Sequence, residues 1–524
     1  MAFDTTPHPR LSRRRALTAV ILPAGAVALL SACGGSAVGT ATSAAATSAA
    51  TSAASTASPP AVTATSTAAT TTAATTTAAS SSAAATTAAA STAPTSSAAS
   101  SATTTTAAAA PASSSAAVPT ARPGALQVWM PNTSFSLTAG IGADLMKEFL
   151  PAHPNISLDA IVEGDLTKFK TQVAGGVPPD LFQTQSYVQT TWGATKVVQA
   201  LDSYIARSKN IKPADIWKKK LAEVQWAGKT WALPYSIDNR VVFVNDDLYR
   251  RAGLDVTKPP ATWADMETAV SKTTQLNGTQ LNQTGWDPFG GSGGRLTFLV
   301  PFWQQGGDFA PGDGTKVDIA NDMAVTALTW LLKIEDMQGG FNALAVFAKA
   351  NSTDGTGEKV FAASHTAQIY ATIANKVQTF QAVPNLTYHV AQYPLPPNGK
   401  VATYAGGWAF CVGTGAKHAD DAMTMVDYFY QPDVQVKWAA AQLRVPPSQS
   451  VAQGVDYTQN DPLLKLTVDA MPNGSFVPSI PGGEQILPIL NTMVGDIMSK
   501  KTDVNAALDN AQKLCQLEVD KYKA

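Results

Sequence analysis

Serine, histidine and cysteine give this chain little with which to break bonds. Gly290-Gly291-Ser292-Gly293-Gly294 fits the Gly-x-Ser-x-Gly pattern of a nucleophile elbow. That elbow needs a strand before the serine and a helix after it. Here Trp286-Asp287-Pro288-Phe289 precedes it, so a flexible glycine loop is the favoured reading. The five histidines stand apart, without His-Glu-x-x-His or Cys-x-x-Cys spacing, and Asp313-Gly314-Thr315 lacks the acidic spacing of a calcium loop. No metal and no cofactor is expected.

What the chain does carry is aromatic, amide and carboxylate side chains at the ends of strand-like runs. Trp129 and Asn132 close one such run, Gln183, Gln185 and Tyr187 another, and Trp408 follows Gly406-Gly407 in a third. Ligands of open parallel sheets sit beyond the carboxyl ends of the strands, which selects these positions. Aromatic rings cover the apolar C–H face of a pyranose. Amides, carboxylates and guanidinium groups pair with vicinal hydroxyls, and hydrogen bonds to charged groups contribute about 1.5–3 kcal/mol each. Glycines would let a ligand approach the backbone closely. Each residue also has a plainer role: Trp129 and Trp408 could pack a hinge, and Gln183 and Gln185 could be sheet-edge polar residues.

The elements that must position them follow from periodicity. Leu126–Met130 reads as a strand, then Ile141, Leu145, Met146 and Phe149 share a helical face that stops at Pro151. Ile156, Leu158 and Ala160 alternate as a second strand. Asp165 caps a helix bearing Leu166, Phe169 and Val173, closed by Gly175-Gly176, and Asp180–Gln183 is a third strand. This rhythm predicts an α/β fold with a parallel, doubly wound sheet. Leu233 to Asn245 is an apolar, β-branched run entered through Pro234, which reads as a strand crossing between two compact units. Thr262 and Asp265 form a capping box for a helix carrying Met266 and Val270, and Asn321 caps another with Ala324, Leu328 and Leu331. From Gly482 the chain reads as helical throughout, ending on a Thr502-capped segment from Val504 to Val519. Trp303, Trp330, Cys411 and Cys515 read as core.

Composition bounds the rest. The chain has 524 residues, 45% hydrophobic and 14% charged, with net charge −1. All eleven tryptophans lie at or after Trp129, and no charged residue occurs between Arg15 and Arg122. The folding part is therefore roughly 400 residues, enough for two cores. Near-zero net charge gives no basic face for nucleic acid. Ser12-Arg13-Arg14-Arg15-Ala16-Leu17 looks like a twin-arginine export motif, although a plain basic leader looks much the same. Leu30-Ser31-Ala32-Cys33-Gly34 resembles a bacterial lipobox. Residues 1–33 then form a signal peptide whose last residue, Cys33, takes the lipid. Residues 34–121, rich in Ala, Ser and Thr, are expected to be a disordered linker spanning roughly 50 Å.

The order of motifs after that linker resembles the extracytoplasmic solute-binding proteins of ABC importers, the maltose-binding-like sugar family. The residues that carry it are Gly175-Gly176-Val177-Pro178-Pro179-Asp180, the crossing strand with its Pro259-Pro260 pair and capped helix, and Phe302-Trp303-Gln304-Gln305-Gly306-Gly307. Then come Gln392 to Pro397 with Ala405 to Phe410 as a return crossing, and Leu443-Arg444-Val445-Pro446-Pro447. The resemblance implies a periplasmic-binding-protein-like fold of two lobes, each a mostly parallel sheet flanked by helices, joined by hinge crossings. Residues 122–236 with about 398–450 would form one lobe, and 237–397 with about 451–524 the other. It adds Tyr235 and Asp238 at the crossing, Arg444 after the proline-turn helix, and Trp286 and Glu484 to the expected ligand set. It also implies a monomer that takes a carbohydrate, hands it to permease subunits outside the cytoplasm and catalyses no reaction. Two alternatives stand beside it: a surface-anchored serine hydrolase using Ser292, and a carbohydrate-binding sensory protein without a permease.

Overall fold

Three short runs of alternating large apolar residues build the first half of the sheet: β1 (Leu126–Met130), β2 (Leu158–Val162) and β3 (Leu181–Gln185). The computed structural model describes residues 124–523 apart from 292–293, 353–355, 375–378, 459–460 and 478. The export motif, Cys33, the linker and Ser292 lie outside the described residues. β1 pairs in parallel with β2 on one side and β3 on the other. The helices Gly140–Ala152 and Leu166–Ala174 make the two crossovers, and Asp165 caps the second by accepting from the amides of Thr167 and Lys168. A hairpin of β4 (Gln225–Trp226) and β5 (Lys229–Thr230) turns through Ala227-Gly228, both at positive φ.

β6 (Leu233–Asn245) is 13 residues long and buried at every position. It is followed by β7 (Gln275–Asn277), β8 (Gln280–Trp286), β9 (Thr366–Thr372), β10 (Tyr388–Ala391), β11 (Thr403–Cys411) and β12 (Gly474–Ser475). The sheet runs β2-β1-β3-β11-β6-β9-β8-β7, with β10 on β6 and β12 on β11. From Leu233 to Asn239, β6 pairs antiparallel with β11; from Arg240 onward it pairs with β9 and β10. One strand thus belongs to both halves of the molecule. The parallel pairing expected of both halves holds for β2-β1-β3. Among the described residues of the second half β8 and β9 are parallel and β12 runs parallel to β11, whereas β6 with β9 and β10, and β7 with β8, are antiparallel.

Period-two alternation lets β6 feed two faces at once. Val242 and Val244 enter a large core with Trp263, Trp286, Phe298, Leu328, Trp330 and Leu490. Val241 and Phe243 face a smaller one with Phe361, Ile369 and Phe380. Leu233 and Tyr235 join the core of the first half, with Met130, Phe149, Phe410, Phe429 and Trp438. Beneath β3, Phe169 stacks on Phe182 at 4.4 Å and on Trp192 at 5.0 Å. Cys411 and Cys515 are free and buried, and burial pushes both thiols up to about 12.

The capping box at Thr262 and Asp265 is present, as is the Asn321 cap. At the carboxyl end the expectation needs correction. Helix Gly483–Met498 stops at Ser499, and the final helix Val504–Asp520 is capped by Asp503, whose carboxylate accepts from the Ala506 amide at 3.0 Å. A charged acceptor one residue nearer the helix takes the place of the threonine hydroxyl. Asp503→Ala should therefore lower stability by about 1 kcal/mol in denaturant unfolding, and Thr502→Ala by much less.

Glu335, near the end of helix Asp322–Asp336, is buried, and its Oε2 has no hydrogen-bond partner. Burial, reinforced by Asp287 and Asp336, pushes its carboxyl up to about 8. The folded state holds a proton there that the unfolded chain releases near pH 4.5, so stability falls as pH rises from about 4.5 to about 8. Melting temperatures measured at pH 5 and pH 8 should differ less in Glu335→Gln than in the unaltered chain.

Candidate functional site

Water reaches the middle of one otherwise buried strand. In β11 the residues Gly406, Gly407 and Trp408 are half-buried while the three on either side are buried. They lie against Asp238, Ile237 and Ser236 of β6, at the point where that strand passes from one half to the other. The glycines are required here by the protein itself. A Cβ on Gly407, at φ +149, would stand 2.4 Å from the Ser236 carbonyl oxygen, and one on Gly406 would stand 2.7 Å from Asp238 Oδ1. The space expected to admit a ligand to the backbone is on that side filled by β6.

A buried charge cluster surrounds them. Arg444 Nη1 donates to Asp238 Oδ2 at 2.5 Å, and Arg240 Nη1 lies 3.2 Å from Asp238 Oδ1. Arg444 gets there because Leu443 turns the end of helix Pro432–Gln442 through a left-handed conformation. Val445 is then bonded in both directions to Ile237, which fixes the arginine beside the next residue of β6. Arg240 also donates to the Tyr404 carbonyl at 3.1 Å and lies over the Tyr404 ring at 3.7 Å. Burial alone would raise the Asp238 carboxyl. The charges of Arg240, Arg444 and Lys220 outweigh it and hold that carboxyl below its usual range.

Lys220, on the short helix Lys218–Ala222, is fully buried. It donates to Ser186 Oγ at 2.6 Å, pairs with Glu223, and lies 4.8 Å from the centre of the Phe476 ring. Ser186 in turn donates to the Gly407 carbonyl at 3.1 Å. Burial raises the Glu223 carboxyl, with Lys220 opposing. Beside this cluster opens a cavity of about 520 Å³ lined by Glu223, Trp303, Asp308, Phe309, Phe476 and Ser479. That volume falls within the range of small-molecule sites. Trp303 faces Tyr404 at 6.1 Å, and on the far side Trp408 meets Phe135 at 5.3 Å. Rings therefore flank the charges at both ends.

The expected site residues divide into those at this crossing and those away from it. Asp238, Gly407, Trp408 and Arg444 meet at it, and Gln185 is paired with Trp408 in the sheet register. Tyr187 is half-buried next to this group, its hydroxyl raised by burial and by the charge of Glu484. Glu484 joins the two sides differently. Its carboxylate takes hydrogen bonds from Lys170 at 2.7 Å and from Trp192 Nε1 at 3.1 Å, while the Gly482 amide donates to Thr191 Oγ1 at 3.0 Å. Asn132 caps the turn Thr133–Phe135, its oxygen already taken by the Ser134 amide.

Four of the expected residues are buried. Trp286 has no exposed surface and lies against Trp330 and Tyr393 in the second core. Tyr235 is buried among Phe410, Phe429 and Trp438. Trp129 packs edge-on against Phe182 with Lys168 over its ring at 5.2 Å. Gln183 is fully buried with both side-chain polar atoms unpartnered. Trp303, expected in a core, is half-buried against the second core and also lines the cavity.

Sequence reasoning passed over Phe135, Lys220, Glu223, Arg240, Tyr404 and Phe476. One signal was available: Arg240 is two residues from Asp238 on a strand, hence on the same face. For Lys220 there was none, since Lys218 and Lys219 beside it are exposed. β8 ends at Trp286 and the turn Gly294–Phe298 leads into helix Leu299–Gln304, while Ser292 and Gly293 lie outside the described residues. Among the described residues no three His, Cys, Asp or Glu side chains gather to hold a metal ion.

The fold has known counterparts. A mannotriose-bound structure of CpMnBP1 superposes with a TM-score of 0.63 at 24% identity, covering 75% of this chain and 99% of that one. The sugar-binding protein MalE of Xanthomonas citri gives 0.63 at 20%, covering 76% and 98%. In sequence, a Brucella abortus protein named only for binding is 24% identical over 380 residues, 70% of this chain and 87% of its own length. The sn-glycerol-3-phosphate-binding periplasmic protein of the same species is 23% identical over 55% of this chain and 66% of its own. The architecture is thus the two-lobed one of periplasmic sugar-binding proteins. The model of the bacterial extracellular solute-binding proteins matches residues 144–465, and the chain belongs to that family.

Proposed function

We propose that this protein is an extracytoplasmic receptor that captures a sugar or oligosaccharide between its two lobes and delivers it to an ABC permease. The observation that carries this reading is the half-exposed Gly406-Gly407-Trp408 stretch at the lobe crossing. Indole and phenyl rings stand there beside a carboxylate and two guanidinium groups. Stacked rings and charged hydrogen-bonding groups are the combination that a polyhydroxylated ring needs. Relatives named for binding sn-glycerol-3-phosphate, or erythritol and L-threitol, and structural neighbours holding mannotriose or tagatose, support a solute of this class. The functional unit in this reading is a monomer, tethered through lipid on Cys33 by the Ala/Ser/Thr-rich linker. It binds without catalysing a reaction. Transport energy comes from the partner ATPase, and solute binding shifts an open–closed equilibrium of the lobes.

A thermal-shift screen of the chain against mono- and disaccharides, polyols, amino acids and sugar phosphates tests this directly. A solute at about 100 times its Kd adds roughly 2.7 kcal/mol of stability, and one member of the panel should raise the melting temperature by a few degrees. With that solute, Trp408→Ala and Asp238→Ala should each weaken binding by about 1–2 kcal/mol in calorimetry. Unchanged affinity in both folded variants would place the site elsewhere in the molecule.

A further inference from the structure

Ser186 stands between Gln185 and Tyr187 of the expected ligand set, yet it is 1% exposed, too deep to touch a solute. What it touches is the backbone of the accessible patch. β3 pairs with β11 as far as Gln185 against Trp408, and the next step of that register would set Ser186 opposite Gly407. There β3 ends and the chain turns away through Ser186–Val188. The serine hydroxyl bridges the gap and donates to the Gly407 carbonyl at 3.1 Å.

Lys220 fixes which way that hydroxyl points. An ammonium group can only donate, and a carbonyl oxygen can only accept. With Lys220 Nζ 2.6 Å from Ser186 Oγ, the serine oxygen is the acceptor there and its one hydrogen goes to Gly407. The lysine is further engaged by Glu223 and by the Phe476 ring, whose centre is 4.8 Å away. Lys220 is fully buried, so its charge polarises the serine in a medium of low dielectric and strengthens the bond to the carbonyl.

The backbone held in this way is irregular on both sides of Trp408. Gly407 has φ +149, which a residue with a Cβ adopts only under strain. Between Trp408 and Ala409 the pairing with β6 shifts by one residue, leaving Tyr235 over as a bulge. Bulges re-aim neighbouring side chains. The half-exposed indole of Trp408, resting on Phe135 at 5.3 Å, therefore takes its direction from backbone that regular pairing does not dictate.

We propose that Ser186 is a positioning residue for solute capture: loaded by Lys220, it holds the Gly407 peptide so that the Trp408 ring faces the solute. This rests on the receptor reading above and adds to it a residue that no solute touches.

The test compares the full chain with Ser186→Ala, Ser186→Thr and Ser186→Cys. Acrylamide quenching of the Trp408 emission, taken as the difference between each protein and its Trp408→Phe counterpart, reads the placement of the ring without a solute. Calorimetry with mannotriose, tagatose, erythritol and sn-glycerol 3-phosphate reads capture. Ser186→Ala should change the Trp408 quenching constant about twofold and weaken binding about tenfold, the size of one hydrogen bond to a polarised partner. Ser186→Thr, which keeps the hydroxyl, should restore both. A serine that only stabilises the fold would lower the unfolding midpoint and leave quenching and affinity unchanged. Ser186→Cys, close in size but a weak donor, should shift both in the same direction as alanine and serves if the alanine variant does not fold. Unchanged Trp408 quenching in the folded variants overturns the positioning role and leaves the receptor standing. Altered quenching with unaltered affinity overturns the part of Ser186 in capture. No binding of any of the four by the unaltered chain overturns that part together with the receptor reading for these solutes, whatever the quenching shows.

Discussion

A carboxylate held by two guanidinium groups at the centre of a 13-residue strand is the constraint around which the molecule is arranged. Asp238 is buried, and an unpaired charge there would be strongly unfavourable, so its partners must be delivered with care. One comes from the same strand, two residues on. The other comes from the end of a helix more than 200 residues later, turned inward at Leu443 and tied to Ile237 through Val445. The glycines of β11 follow from the same requirement, since a side chain at either position would collide with the cluster or with the backbone beneath it. The accessible patch is therefore a by-product of how closely two strands must approach to keep a buried charge paired.

The surrounding cores explain why this arrangement can be held. β6 contributes residues to four apolar clusters, so moving its register by one residue would put Asp238 in the place of Ile237 or, in the other direction, Arg240 in the place of Val241. Rings stacked beneath β3 and around Tyr235 fix the first lobe, and the Trp263–Trp330 stack, at 4.2 Å, fixes the second.

Much of this could be read in advance, for identifiable reasons. The βαβαβ start, the crossing strand and the capped helices carry local signals: β-branched runs, apolar periodicity and Asp or Thr caps. Asp238 and Arg444 were reached through the order of motifs, and Trp408 through its place at the end of a strand-like run. What escaped was whatever depends on three-dimensional convergence. Lys220 differs from Lys218 and Lys219 only in facing inward on a helix of five residues, and Phe476 sits in a segment without periodicity. Trp286 entered the expected set through the resemblance alone, but the strand β8 turns it into the core. Asp503 replaced Thr502 as a cap because boundaries are decided by one residue's geometry rather than by pattern.

The contacts of Glu484 bear on how the receptor responds to solute. Lys170, Trp192 and Thr191 bind the start of helix Gly483–Met498 through protein atoms alone. Such bonds favour the joined arrangement of the lobes whether or not the cleft is filled. They lower the free energy a solute must supply to complete closure, raising its apparent affinity. The part of that stabilisation lost on the way to the open arrangement slows reopening, so in the receptor proposed above the residue that helps retain cargo also bears on how readily it is given up.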